Sequence, residues 1–132
     1  MPDLQCIVVT PERTVCRRQA DFVVLTLYDG EYGVAPGHTP MMGRLGYGEM
    51  RISGEGGTAR YYIEGGFTEV ADDMVTVLTN RAIPAEKLDE AVIREQLETA
   101  RSQPGNTPEL LGMREIAVAQ RRAQLRVARR SR

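Results

Sequence analysis

An N-terminal β domain, a sandwich or a barrel, followed by an antiparallel pair of helices is the α+β fold this sequence predicts. Three observations carry it. Short Val/Ile/Leu-rich runs separated by Gly and Asp turn pairs fill the chain up to about residue 82. The texture then changes at Ile83-Pro84. Beyond it, helix formers dominate, with apolar residues three and four apart.

The strands come first. Leu4–Val9 and Phe22–Leu27 are β-branched, apolar runs of strand length; Thr10-Pro11-Glu12 ends the first and Asp21 precedes the second. Residues 49–53, 59–63, Phe67–Ala71 and Met74–Leu78 follow. The pairs Gly56-Gly57, Gly65-Gly66 and Asp72-Asp73 between them suit two-residue or slightly longer hairpins. Residues 1–83 are enough to close a two-sheet core, so this part is expected to fold alone, with residues 84–132 as a second, helical domain.

In the helical part, residues 88–101 hold no glycine or proline. Leu88, Val92, Ile93, Leu97 and Ala100 are spaced to share one helical face. Gln103-Pro104-Gly105-Asn106 is a loop. Thr107 then reads as an N-cap, Pro108 as the first helical residue, and Glu109 complements the positive helix end. Leu110, Met113, Ile116, Ala117, Ala123 or Gln124, and Val127 mark the expected inner face of this second helix. The facing residues are mostly alanines and single aliphatics, which set little against ordering entropies of roughly 1–2 kcal/mol per residue. Gly112 costs about 1 kcal/mol more relative to alanine. Such a hairpin is expected to depend on docking, and an element with little stability of its own has the makings of a switch.

One stretch stands apart. Asp29-Gly30-Glu31-Tyr32-Gly33-Val34-Ala35-Pro36-Gly37-His38-Thr39-Pro40 holds two prolines, three glycines and the only histidine of the chain. Asp29-Gly30 and Pro36-Gly37 are turn pairs, and Pro40 biases Thr39 toward an extended backbone. The reading is a stiff, exposed loop that reverses twice and presents Glu31, Tyr32 and His38.

Composition narrows the functional classes. No apolar run approaches the roughly 18 residues of a membrane span, and the N-terminus lacks the pattern of a secretory signal. Cys6 and Cys16 fit no zinc or redox spacing and read as two buried or free thiols in a reducing cytosol, which could lie on neighbouring strands. With one histidine, no metal site is expected. The net charge of −1 hides an asymmetry: residues 1–83 carry −4, residues 84–113 carry −3, and residues 114–132, with seven arginines against Glu115, carry +6. A basic tail on an acidic protein asks for an anionic partner. No P-loop and no Ser/His/Asp or Cys/His constellation argues for catalysis. Nucleic-acid binding is disfavoured by the acidic β domain and its lack of interleaved aromatic and basic residues. A stand-alone adaptor whose arginine-rich helical tail binds an acidic partner remains the alternative from another class.

The dodecapeptide resembles the epsilon subunit of F-type ATP synthases (delta in mitochondrial naming), whose consensus here reads Gly-Glu-hydrophobic-Gly-hydrophobic-x-Pro-Gly-His-x-Pro. The resemblance extends over nearly the whole chain. Val9-Thr10-Pro11-Glu12, Leu45-x-x-Gly48 with Arg51-Ile52, and Gly65-Gly66-Phe67-x-Glu69-Val70 followed by Val75-Thr76-Val77-Leu78 match family patterns in order. Leu88-Asp89-Glu90-Ala91 and Ala123-Gln124-Leu125-Arg126-Val127 do so in the hairpin.

The resemblance implies a β-sandwich of about ten strands and a non-catalytic central-stalk role without a cofactor. The sandwich would bind the gamma subunit and rest on the membrane-embedded c-ring, coupling ion flow to ATP synthesis. Membrane contact would come only through the complex, at the cytoplasmic face of a bacterial inner membrane. Matching positions place Glu31, Tyr32, His38, Thr39 and Pro40 at the c-ring and gamma interface, with Gly30, Gly33, Gly37, Gly65 and Gly66 as turn formers. In many members an extended hairpin inhibits hydrolysis by setting basic residues against the alpha/beta catalytic head. Here Arg114, Arg121, Arg122 and Arg126 supply that charge, while Arg129, Arg130 and Arg132 read as a solvated tail. Some members bind ATP through Ile/Leu-Asp-x-x-Arg-Ala. This chain keeps Leu88-Asp89 but has Val92-Ile93 where Arg-Ala would fall, which implies weak or no ATP binding.

Overall fold

A computed structural model describes residues 3–130. The chain divides into two compact units that meet in sequence between Pro84 and Ala85. The first holds ten strands in two five-stranded sheets. These are β1 (Leu4–Val9), β2 (Thr14–Ala20), β3 (Phe22–Leu27), β4 (Gly30–Val34), β5 (Met41–Arg44), β6 (Tyr47–Gly54), β7 (Gly57–Glu64), β8 (Phe67–Ala71), β9 (Met74–Leu78) and β10 (Ala82–Pro84). One sheet runs β2-β1-β9-β8-β5 and the other β10-β7-β6-β3-β4. Pairing is antiparallel except between β1 and β9, where Gln5 to Val9 run parallel to Met74 to Leu78. The sandwich expected from the sequence is therefore what forms.

Period-two alternation explains the core. Leu4, Cys6 and Val8 of β1 are buried, as are Val23 and Leu25 of β3, Met50 and Ile52 of β6, and Val75 and Val77 of β9. The residues between them point to the outer faces. Cys6, buried, and Cys16, half-buried, lie on adjacent strands as free thiols, with Val8 opposite Cys16 and Arg18 opposite Cys6. Burial, with the neighbouring Cys16 adding to it, pushes the Cys6 thiol up to about 12.

Two turn assignments need correcting. Between β6 and β7 the turn residues are Glu55-Gly56, and Gly57 already pairs with Gly54. Gly65-Gly66 does not close a hairpin at all, because β7 and β8 belong to different sheets. The pair carries the chain across the sandwich. Gly65 N–H donates to Gly46 O at 3.0 Å and Gly66 O accepts from Leu45 N–H at 2.8 Å. Gly66 has φ +102, and a Cβ there would fall 1.9 Å from the Leu78 carbonyl oxygen. Only glycine fits such an approach.

The second unit starts with a single 3-10 turn over Ala85–Lys87, then α1 (Glu90–Arg101) and α2 (Pro108–Arg130). Asp89 caps α1, its carboxylate accepting from Ala91 and Val92 N–H at 3.0 and 3.2 Å. Thr107 caps α2 as the sequence predicts, its hydroxyl accepting from Leu110 N–H at 3.1 Å. The helices meet through Ile93 and Leu97 of α1 and Leu125 and Ala128 of α2, flanked by Leu88 and Val118.

The expected faces are partly wrong. Val92 is exposed, and so are Met113 and Ile116. On α2, Val118 and Leu125 are seven residues apart and lie on one side, whereas Met113 and Ile116 fall about half a helical turn round from them. Both stripes are apolar and periodic, and the leucine stripe is the one that meets α1.

Candidate functional site

The conspicuous dodecapeptide is not a loop throughout. Its first half is the edge strand β4, joined to β3 by a two-residue turn at Tyr28-Asp29, with Leu27 opposite Gly30 and Val23 opposite Val34. Glu31 and Gly33 face outward, while Val34 is fully buried and Tyr32 packs against the core. Gly33 is thus no turn former. The Phe22 ring lies over it, Cζ standing 2.6 Å from where a Cβ would be, so a side chain there would require that ring to shift.

The second half, residues 35–40, crosses from β4 in one sheet to β5 in the other. Pro36-Gly37 turns the backbone, with Gly37 at φ +84 and His38 N–H donating to Ala35 O at 3.3 Å. The His38 ring is clamped on both sides. Its Nδ1 lies 2.6 Å from Thr39 O and so must carry a proton. In the neutral ring Nε2 then accepts from the Tyr32 hydroxyl at 2.7 Å. A further clamp comes from the other sheet: Gly37 N–H donates to an Asp73 carboxylate oxygen at 2.7 Å.

Glu31 is exposed and belongs to a chain of charges. Its carboxylate lies 3.2 Å from Arg51, which also reaches Glu49 at 2.7 Å, and Glu49 in turn pairs with Arg60. Glu49 is buried, so its two arginines offset its desolvation.

A surface that sequence reasoning missed lies on the outer face of the β2-β1-β9-β8-β5 sheet. Arg44, Phe67, Leu78 and Val9 are in register across β5, β8, β9 and β1. Phe67 and Leu78 are 59% and 52% exposed, and Met42 beside them 75%. Arg44, Phe67, Leu78 and Val9 line an open groove of about 770 Å³ together with Pro11 and Asn80. Arg44 also stacks over the Tyr28 ring at 5.8 Å. The signal was there: β8 and β9 carry large apolar residues on both faces, where a half-solvated strand alternates.

The helical unit separates the four candidate arginines. Arg114 folds back on the interhelix loop, over Gly105 and 3.5 Å from Gln103 O. Arg121 donates to the Gln124 side chain at 3.2 Å. Arg122 and Arg126 are exposed and share an open groove of about 550 Å³ with Arg94, Arg101 and Arg129. Arg94 and Arg129 both reach Glu90, at 2.6 and 3.6 Å. Arg132 lies outside the described residues. Leu88 and Asp89, the remnant of the nucleotide motif, are spent on packing and capping. Among the described residues no cluster of three metal-ligating side chains occurs, and no helix is long and apolar enough to cross a membrane.

Residues 3–85 match the family described as the ATP synthase delta/epsilon chain β-sandwich domain. The ATP synthase epsilon chain of Rhodopirellula baltica is 48% identical over 96% of this chain and 98% of that protein. That of Pelotomaculum thermopropionicum is 45% identical over 64% of this chain and 63% of its own length. The chain belongs to the ATP synthase epsilon chain family. Its fold also matches chains in two solved assemblies. One is the Euglena gracilis mitochondrial ATP synthase OSCP/F1/c-ring, with TM-score 0.83, 24% identity, and 93% of this chain and 79% of that chain covered. The other is the Tetrahymena thermophila mitochondrial ATP synthase central stalk and c-ring, with TM-score 0.71, 12% identity, and 95% and 96% covered.

Proposed function

We propose that this chain is a non-catalytic central-stalk subunit of an ATP synthase, seated through its sandwich on the gamma subunit and the c-ring and turning with them. The observation that carries this reading is the in-register apolar row Phe67, Leu78 and Val9 beside Arg44, a surface of the kind that marks a protein interface. The 35–40 crossover leads directly into β5, which carries Arg44 and Met42. Gamma takes the apolar row together with His38, Thr39 and Pro40, and Glu31 faces the polar loops of the c-ring. In this reading the protein is peripheral, on the cytoplasmic face of a bacterial inner membrane, held there by its partners.

The division of labour follows the change of texture at residue 84. Residues 1–83 dock, and residues 84–132 restrain hydrolysis by reaching the alpha/beta head. Of the four candidate arginines, Arg122 and Arg126 are the ones whose exposure suits them to acidic segments of that head. ATP binding to the hairpin is weak or absent, since Val92 stands where the motif has its phosphate-facing arginine.

The test is ATP hydrolysis by an epsilon-depleted catalytic head from the same organism, titrated with the full chain and with a version ending at Pro84. The full chain inhibits, and the shortened one binds without inhibiting. If both bind and neither inhibits, the arginine role is wrong; if neither binds, the stalk role is wrong. Calorimetry of the full chain with ATP shows no heat at micromolar concentrations.

A further inference from the structure

The segment that reads as rotor-facing is held in place by a residue far from it in sequence. Residues 35–40 leave one sheet at the buried Val34 and reach the other at Met41. Two of the six are prolines, which have no N–H to tie the backbone down. Gly37 sits midway at φ +84, with open space where a Cβ would be. What meets it is the Asp73 carboxylate at 2.7 Å.

Asp73 is unusually placed for this task. It is the second residue of the β8–β9 hairpin turn, and both turn residues are in the left-handed region, Asp72 at φ 51 and Asp73 at φ 59. Such a turn is normally given to glycine or asparagine, and a non-glycine residue there is strained. Its main chain is fixed as well, because Asp73 O accepts from Gln5 N–H at 2.8 Å beside the β1–β9 ladder. A carboxylate anchored in the sheet thus reaches across to the free N–H of the crossover. A hydrogen bond to a charged acceptor is stronger than one between neutral groups.

We propose that Asp73 is a positioning residue for the rotor-facing segment: by capping Gly37 N–H it fixes the 35–38 turn, and so sets how His38, Thr39 and Pro40 meet the gamma subunit. This rests on the docking role proposed above. Asp73 touches no partner itself. It acts by removing freedom the segment would otherwise lose on binding.

The experiment uses the full chain with Asp73→Gly and Asp73→Asn. Glycine accepts the left-handed backbone and removes the cap, while asparagine keeps the shape and an acceptor oxygen. In Asp73→Gly the Gly37 amide exchanges at least about tenfold faster and affinity for isolated gamma subunit falls about tenfold, the loss of a bond of this strength. Amides of β1 and β9 keep their protection, and Asp73→Asn restores most of both losses. Unchanged gamma affinity, or unchanged Gly37 exchange, in Asp73→Gly overturns the inference. So does a loss of binding accompanied by faster exchange throughout β1 and β9, which would make Asp73 merely structural. His38→Ala tests the docking role separately: if it binds gamma as tightly as the parent, that role for His38 fails, and the Asp73→Gly result still decides this inference.

Discussion

The sandwich and the helical hairpin are held together in different ways. In the sandwich, fully buried aliphatics from most of the ten strands meet in one cluster, and residues far apart in sequence supply its pairings. In the hairpin, a smaller cluster of Ile93, Leu97, Leu125 and Ala128, with Leu88 and Val118 beside it, joins the helices, and two of the helix ends are tied down by side-chain caps. A core of the first kind resists local opening; a contact of the second kind comes apart in pieces. In the proposed role, the first unit grips one partner while the second stays adjustable.

Tyrosine makes that comparison easy to break. All five tyrosines, at positions 28, 32, 47, 61 and 62, lie in the sandwich, and the chain has no tryptophan. Tyrosine fluorescence therefore follows the sandwich and far-ultraviolet ellipticity at 222 nm follows the helices. The largest effect is expected for Gly66→Ala, which combines a clash with the Leu78 carbonyl and a left-handed backbone. Overpacking and backbone strain together cost about 4 kcal/mol, seen as a lower urea midpoint by fluorescence. Next comes a pair. Leu25→Ala, in the sandwich core, costs about 3 kcal/mol and moves the fluorescence midpoint; Leu97→Ala costs about 2 kcal/mol and moves ellipticity alone. Coincident shifts for both probes in Leu97→Ala would show that the two units melt as one.

Smaller effects sharpen the picture. Thr107→Ala and Asp89→Ala each remove a cap and lower helix stability by about 1 kcal/mol, read as lost ellipticity with tyrosine fluorescence unchanged. Cys6 acts only at high pH. Its thiol ionises near 9.0 when unfolded but stays neutral in the fold to about 12. That contribution is whole below pH 9 and is lost as pH rises from 9 to 12. Cys6→Ala flattens this alkaline slope in urea titrations; an unaltered slope would assign it to other groups.

Which strands were legible follows a physical rule. The six read from the sequence, β1, β3, β6, β7, β8 and β9, are the interior strands of the two sheets, and the four missed, β2, β4, β5 and β10, are their edges. Interior strands are flanked on both sides and carry dense β-branched residues. Edge strands carry what keeps them from pairing further: Arg17 and Arg18 in β2, Glu31 and Gly33 in β4, Arg44 in β5, Pro84 in β10. Those residues made the edges look like loops, and β4 is where the conspicuous segment was misjudged. The caps of α2 were legible because capping is local. The face of α2 was not, since two periodic apolar stripes compete and only the position of α1 chooses between them. The Asp73–Gly37 bond spans 36 residues and leaves no local trace.

The parallel pairing of β1 with β9 has a consequence for how the chain is made. Gln5 pairs with Gln19 of β2 on one side but meets its other partner only at Met74, so the strand synthesised first must wait for the last of its sheet. A ribosome adding about 5–20 residues each second leaves β1 paired with β2 alone for several seconds. During that interval the growing polypeptide shows an open hydrogen-bonding edge, bordered by Leu4, Cys6 and Val8, to whatever chaperone or neighbouring chain is nearby. Completion of this sheet is thus a late event in biosynthesis, and its earliest moment is set by distance along the messenger.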